Sequence, residues 1–259
     1  MPSLWTCLEG IGTGLTGGLL SGLFGIGGGI VLIPLLGLLL GLNQHQAQGM
    51  SLAVMLLPNS LPAVLHYRRE GIPIHVRLVL VMMVGFLVGI VAGARVATAI
   101  PDGPLRMSFA VFLALVALRT LLRKGGSADG VAASLSWRRV ALPGLLIGAA
   151  GGLSSGLLGI GGAVVMIPLM TWLLALSQHE AQLASLTLLL PPLGLPGVWV
   201  YVRHQGSLPW VVLGFVALGF LLGAHLGART ATRLRGPRLQ QAFAGLLLTV
   251  ALFLALNAR

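Results

Sequence analysis

Long apolar stretches separated by short polar patches follow one another along almost the whole chain. Several reach the roughly 20 residues that an α-helix needs to cross the hydrocarbon core of a membrane. The pattern predicts ten apolar segments, at 6–24, 27–42, 47–66, 76–98, 104–122, 140–158, 161–176, 181–202, 209–232 and 238–257. The predicted fold is therefore an all-α integral membrane protein, a polytopic helical bundle without a separate soluble domain.

The second half of the chain repeats the first at a constant offset of 134 residues, the distance from Gly25 to Gly159. Residues 25–35 return as 159–169, and the same offset places Tyr67 on Tyr201. A register held without a gap over this length indicates duplication. The predicted domains are a first transmembrane repeat at 1–123, a cytoplasmic linker at 124–137 and a second transmembrane repeat at 138–259.

Each repeat is predicted to contain about five helical segments. The first two are shorter than the others and meet at a glycine motif, so they are either two full spans or a re-entrant pair of half-helices. Both alternatives give an odd number of crossings. Two repeats of that kind must insert in opposite orientations, which predicts an inverted repeat.

The distribution of charge agrees with inversion. The chain has 16 basic and 5 acidic residues, and its hydrophobic content is 56%. If the repeats are inverted, most of the basic residues fall on one side, which the positive-inside rule makes cytoplasmic, with both termini outside. Because the arginines stand at segment ends, they are predicted to orient the protein in the lipid bilayer and not to bind nucleic acid.

The glycine motifs are the strongest candidates for an anion site. Glycines between two apolar segments leave backbone N–H groups unshielded at a helix start, where the helix dipole favours negative charge. The alternative is that these glycines only allow close helix packing. The predicted substrate-binding glycines are Gly27, Gly28, Gly29, Gly161 and Gly162.

Polar side chains next to two helix breaks complete the predicted site. Pro58 and Pro62, like Pro192 and Pro196, interrupt helices at a depth where a break usually lines a cavity. The alternative for serine and threonine is a hydrogen bond within their own helix. The predicted neutral donors are Gln48, Ser51, Asn59, Gln182, Ser185 and Thr187.

Other candidates carry two interpretations each. Gly85, Gly89 and Gly93 are predicted to pack helices closely. Arg95 and its equivalent Arg229 are either interfacial anchors, which is the preferred interpretation, or cations guarding an anion path.

His225 is either a proton relay or a neutral histidine buried in its helix. The histidines are scattered, hydrolase signatures are missing from the sequence, and the single cysteine is Cys7. We therefore predict no metal site, no cofactor and no enzymatic activity.

The sequence Gly-Leu-Phe-Gly-Ile-Gly-Gly-Gly-Ile-Val-Leu-Ile-Pro at 22–34, followed by His45-x-Ala47-Gln48-Gly49-Met50-Ser51-Leu52, resembles the TauE/SafE sulfite exporter family. The resemblance spans both repeats. It implies a multi-pass inner-membrane carrier for sulfite, sulfonates or related small anions. The second repeat departs from the first, with Ala163 in place of the third glycine and Leu183-Ala184 before Ser185.

The predicted function is a secondary transporter, and more narrowly an exporter, of a small sulfur-containing anion across the inner membrane. The alternatives are a passive anion channel, a transporter of another small organic anion, and a membrane scaffold. The predicted partners are the anionic substrate and the lipid bilayer, and a homo-oligomer is compatible with the sequence.

Overall fold

The computed structural model describes residues 4–24, 28–58, 60–122, 137–206, 208–231 and 236–256. Within these ranges the chain is helical and contains no strand, as the all-α prediction requires. The predicted linker lies outside the described residues except for Trp137. The first repeat contains α1 (Leu4–Phe24), α2 (Gly29–Leu40), α3 (Gln44–Val54), α4 (Leu61–Arg69), α5 (Val76–Ala99) and α6 (Asp102–Leu122). The second repeat contains α7 (Trp137–Leu158), α8 (Ala163–Leu173), α9 (Gln178–Leu188), α10 (Leu195–Gln205), α11 (Trp210–Ala231) and α12 (Gly236–Leu256).

The described part of each repeat thus has six helices, not about five, because the predicted segment at 47–66 is two helices. α3 ends at Val54 and α4 begins at Leu61, with Pro58 in the break. Proline lacks an N–H group and disfavours a helical conformation of the residue before it. Pro191 and Pro192 separate α9 from α10 in the same way. Pro58 and Pro192 therefore interrupt the helices as predicted, and each break separates two short helices. Pro62 and Pro196 do not interrupt a helix, because they lie in the first turns of α4 and α10.

Only one of the two segments predicted to be short is short. α1 has 21 residues and is about 31 Å long at 1.5 Å per residue, so it is not a half-helix. α2 has 12 residues and α3 has 11, each too short to cross the roughly 30 Å hydrocarbon core alone. The short helices are α2, α3 and α4 in the first repeat and α8, α9 and α10 in the second.

The long helices pack across the two repeats. α1 lies along α11, and α5 lies along α7, so each repeat contributes one helix to each pair. Glycines make this contact possible: a Cβ atom added at Gly85 or Gly89 would overlap the backbone of α7 at Leu145 or Ala149. Gly219 lies in the same way against the Ile11 carbonyl of α1. The interpretation of these glycines as packing residues is confirmed.

The outer faces of the long helices are apolar. Val84 and Val88 on α5 are 58% and 67% exposed, and their equivalents Leu218 and Leu222 on α11 are 58% and 60% exposed. Three helices of the described chain are long and apolar enough to span a membrane, at Val76–Ala99, Val140–Leu158 and Trp210–Gly227. Such continuous apolar surfaces are suited to contact with lipid. The protein is an all-α membrane protein.

Candidate functional site

Two helix starts at equivalent positions fix α3 and α9. The Asn43 side chain accepts a hydrogen bond from the backbone of Gln46, whose own side chain accepts one from the Asn43 backbone. Ser177 and Glu180 make the same reciprocal pair at the start of α9. These capping boxes satisfy N–H groups that a helix start leaves free. They set the register of the helices that carry most of the predicted polar site residues.

Gln48 on α3 is completely buried and is held by the second repeat. The hydroxyl oxygen of Tyr201 on α10 lies 2.8 Å from Gln48 Oε1 and 2.7 Å from the carbonyl oxygen of Gly156. A hydroxyl has one hydrogen, so it donates to one of these two acceptors at a time. Gln48 Nε2 is buried without a hydrogen-bond partner in the described part of the chain. The glutamine therefore keeps a free donor in the interior.

The two glycine motifs meet beside Gln48. Ser51 Oγ donates a 2.9 Å hydrogen bond to the carbonyl oxygen of Gly159. A Cβ added at Gly29, the first residue of α2, would overlap that carbonyl and would lie 3.0 Å from Ser51 Oγ. Gly159 adopts a φ of +71°, a left-handed backbone conformation that is strained for residues with a side chain. The start of α2, the turn before α8 and the middle of α3 thus touch one another at one place.

Part of this arrangement recurs at the equivalent positions of the two repeats. The Tyr67 hydroxyl donates a 2.9 Å hydrogen bond to Gln182 Oε1, so each tyrosine binds a glutamine of the opposite repeat. Ser185, the equivalent of Ser51, is fully buried, and its Oγ has no partner among the described residues. Thr187 donates instead to Leu183 in its own helix, at 2.7 Å. Its hydroxyl hydrogen is therefore already in use.

Aromatic rings cover the predicted binding glycines. A Cβ added at Gly28 would enter the ring of Phe220 on α11, and one added at Gly162 would meet both the Gly151 carbonyl and the ring of Phe86. Phe86 and Phe220 are equivalent positions of the two repeats. Gly162 and the neighbouring Gly161 have φ values of +73° and +80°. Gly27 and Asn59, the remaining predicted site residues, lie outside the described residues.

The interior around these glycines holds little charge. No arginine is buried among the side chains that the structure describes, and Arg95 and Arg229 are both exposed. Exposure fits the interpretation of these two residues as interfacial anchors. His225 is also exposed, so it is not the histidine buried in its helix that one interpretation required.

A small cavity lies at the turn before α8. It measures about 20 Å³ and is lined in part by Met55, Phe86, Ser155 and Gly161. Ser155 Oγ is buried without a partner in the described part of the chain. A cavity needs roughly 10–15 Å³ to hold one water molecule, so an oxyanion such as sulfite requires movement of the surrounding helices. In this conformation the cavity is too small for the predicted anion.

Sequence reasoning identified Gln48, Ser51, Gln182 and Ser185 but missed the residues that hold them. Tyr67 and Tyr201 are the only two tyrosines of the chain and stand at equivalent positions, which was the available signal. No comparable signal in the sequence indicated that Phe86 and Phe220 contact the glycines, because phenylalanine is common in apolar helices.

Comparison with known proteins gives a consistent result. The profile of the family described as "Sulfite exporter TauE/SafE" matches residues 10–254. The probable membrane transporter protein YdhB of Bacillus subtilis is 31% identical over 214 residues, which cover 82% of this chain and 85% of that protein. A probable membrane transporter protein of Xylella fastidiosa is 28% identical over 246 residues, or 94% and 92% of the two chains. No solved structure matches the chain.

Proposed function

Because the chain belongs to the sulfite exporter TauE/SafE family, a family of membrane transporters, we propose that it is a secondary transporter that exports a small sulfur-containing anion. The proposed substrates are sulfite or an organosulfonate, and the proposed location is the inner membrane, which the chain crosses several times. The observation that carries this proposal is the contact between the two glycine motifs at Gly29 and Gly159, beside Gln48, whose buried Nε2 has no partner among the described residues.

An oxyanion would supply what these groups lack. Gln48 Nε2 and Ser185 Oγ are donors buried without a partner among the described residues, and each such group costs about 1–3 kcal/mol. Sulfite and sulfonate oxygens accept several hydrogen bonds. The starts of α2 and α8 add backbone N–H groups and the positive ends of two helix dipoles. A site made of neutral donors without a full countercharge binds an anion weakly enough to release it.

Transport requires the closed site to open toward each side in turn. Three of the hydrogen bonds that join the repeats involve predicted site residues: Ser51 to Gly159, Tyr201 to Gln48, and Tyr67 to Gln182. In the proposed mechanism the two repeats rock against each other, and the two tyrosine bonds break alternately. Tyr201 is fully buried and Tyr67 only partly, so the two bonds differ in their access to solvent.

Counterflow in proteoliposomes tests this function. Vesicles loaded with unlabelled anion should take up labelled external anion transiently and saturably, and a panel of sulfite, thiosulfate, sulfoacetate, taurine and carboxylates identifies the substrate class. A passive channel would give conductance without counterflow. A scaffold would give neither result, and either outcome would refute the proposal.

A further inference from the structure

A buried histidine stands at the start of α3, three residues before Gln48. His45 is only 4% exposed. Its Nδ1 lies 2.6 Å from Asp102 Oδ1, and its Nε2 lies 3.0 Å from the carbonyl oxygen of Ala97. Both ring nitrogens therefore face oxygen atoms of other helices.

This geometry requires a bound proton. A backbone carbonyl only accepts hydrogen bonds, so Nε2 of His45 carries a hydrogen. If Nδ1 and the carboxylate both lacked a proton, a nitrogen lone pair would face an anionic oxygen at 2.6 Å, which is repulsive. The pair of His45 and Asp102 must hold one proton more than a neutral imidazole and a free carboxylate.

We propose that the pair of His45 and Asp102 binds the proton whose movement is coupled to anion transport. This inference rests on the proposed transporter function. It assigns a coupling ion and its site, which lie outside the cluster of glycines and neutral donors.

The surroundings of the pair give the proton a route to water. The Asp102 side chain is 41% exposed. The ring of His204 on α10 is exposed and lies 5.2 Å from the ring of His45, between centroids, and the buried Tyr201 ring lies at 6.4 Å. Arg106 follows Asp102 by one turn on α6, at the spacing of an i, i+4 pair of opposite charges.

The other helices that pack on α3 add little charge. α2 has no titratable side chain, and the charged residues of α5 are Arg77 and Arg95, both exposed. The titratable residues of α11 are His225 and Arg229, both exposed and both in its C-terminal half. On α10, Arg203 is exposed and stacks on Trp199. Asp102 is therefore the acidic group that this neighbourhood supplies.

The same helix connects the proton to the anion site. Asp102 Oδ1 also lies 3.4 Å from the backbone nitrogen of His45, so α6 holds the start of α3 in two ways. Loss of the proton replaces an attraction by a repulsion and pushes this end of α3 away from α6. Gln48 and Ser51 move with α3, and the bond between Gln48 and Tyr201 is then strained.

The second repeat lacks the aspartate of this pair and supplies a matched control. His179 is the equivalent of His45, but Gly236 stands where Asp102 would be. His179 is exposed, and its ring lies 6.0 Å from that of Tyr67. Substitution of His179 removes a histidine at the equivalent place without removing a bound proton.

The first test observes the proton itself. In ¹⁵N-histidine NMR spectra of the purified protein at neutral pH, both ring nitrogens of His45, assigned with His45→Gln, should carry hydrogen. Asp102→Asn should give a singly protonated ring, because an asparagine amide can donate to Nδ1. A singly protonated His45 in the wild-type protein, or a ring unchanged by Asp102→Asn, would refute the proposal.

The second test measures coupling, with labelled thiosulfate and with sulfoacetate in vesicles whose membrane potential is held at zero. With one proton per anion, a gradient of one pH unit should support about tenfold accumulation, since one pH unit is worth about 1.4 kcal/mol. His179→Gln should accumulate the anion equally well, whereas Asp102→Asn should not accumulate it.

Accumulation by Asp102→Asn at the wild-type level would overturn the proton site while leaving the transporter intact. If no anion of the panel shows counterflow with the wild-type protein, the proposed function fails instead, and the NMR result still decides whether the pair holds a proton.

Discussion

At the scale of single residues, the two tyrosines have the most specific contacts in the site. Each hydroxyl lies within hydrogen-bond distance of a glutamine of the opposite repeat, but Tyr201 is fully buried and Tyr67 is not. Water can replace a lost hydroxyl near the surface but cannot easily reach a closed interior. The same substitution should therefore have unequal effects at the two positions.

Tyr201→Phe should lower the free energy of unfolding by about 1–3 kcal/mol, because it leaves buried acceptors on Gln48 and Gly156 without a donor. Tyr67→Phe should have a clearly smaller effect. Denaturant unfolding in detergent measures both variants, and counterflow gives their half-saturation concentrations. Equal losses in the two variants would mean that the asymmetry in burial has no energetic consequence.

Gly28 and Gly162 predict a second contrast between equivalent residues. Gly28 has an ordinary helical backbone, and the three described atoms nearest to an added Cβ all belong to the Phe220 ring. Gly28→Ala should therefore abolish counterflow, and adding Phe220→Leu should restore it. Gly162→Ala should not be rescued by Phe86→Leu, because the left-handed backbone of Gly162 costs alanine about 1–2 kcal/mol and the Gly151 carbonyl also blocks the space. Rescue of both variants, or of neither, would contradict this account.

The sequence predicted the residue types of the site better than their pairing. Gln48, Ser51, Gln182 and Ser185 follow from polarity next to helix breaks. The partners Gly159 and Tyr201 do not, since both belong to the other repeat and no local pattern specifies contacts over more than a hundred residues. Thr187 was predicted as a donor to the anion, but its hydroxyl donates to Leu183 in its own helix. That bond depends on a rotamer that the sequence does not determine.

At the scale of helices, glycine decides how closely the repeats approach. Gly219 on α11 lies against the Ile11 carbonyl of α1, whereas Gly214 on the same helix has no atom within 4 Å of an added Cβ. Gly219→Ala should push α1 away and lower the thermal unfolding temperature in detergent. Gly214→Ala should raise stability by up to about 1 kcal/mol, the difference in helix propensity between the two residues. Similar shifts for both variants would show that α1 and α11 are not packed through this glycine.

The long helices were also the best predicted elements, with α5 expected at 76–98 and found at Val76–Ala99. A long, continuous apolar sequence is compatible only with a single long helix. The short helices were predicted less well, because an apolar run of 47–66 does not reveal whether Pro58 bends one helix or ends it. The first segment was expected at 6–24 and α1 is found at Leu4–Phe24, but the sequence left open whether it was a full helix. Its glycines, which weaken a helix in water, are here the contact surface with α11.

At the scale of the whole molecule, the helix pairs α1 with α11 and α5 with α7 bury each repeat in the other. The orientation of the repeats in the membrane stays a prediction from charge, with both termini outside. Fusions of alkaline phosphatase and of a fluorescent protein to the C-terminus should give periplasmic activity and no fluorescence. A cytoplasmic C-terminus would exclude an inverted repeat with an odd number of crossings.

The central claim is that the transported anion binds where the two glycine motifs meet, and thiol protection tests it most directly. Cys7 is the only cysteine, so Cys7→Ser provides a background in which Ser51→Cys places one thiol where Gly29 and Gly159 meet and Ala117→Cys places one at a buried position on α6. The transported anion should slow alkylation of the thiol at position 51, at concentrations near half-saturation, and should leave the thiol at position 117 unaffected. Counterflow with no protection at position 51 would place the anion elsewhere and contradict the account.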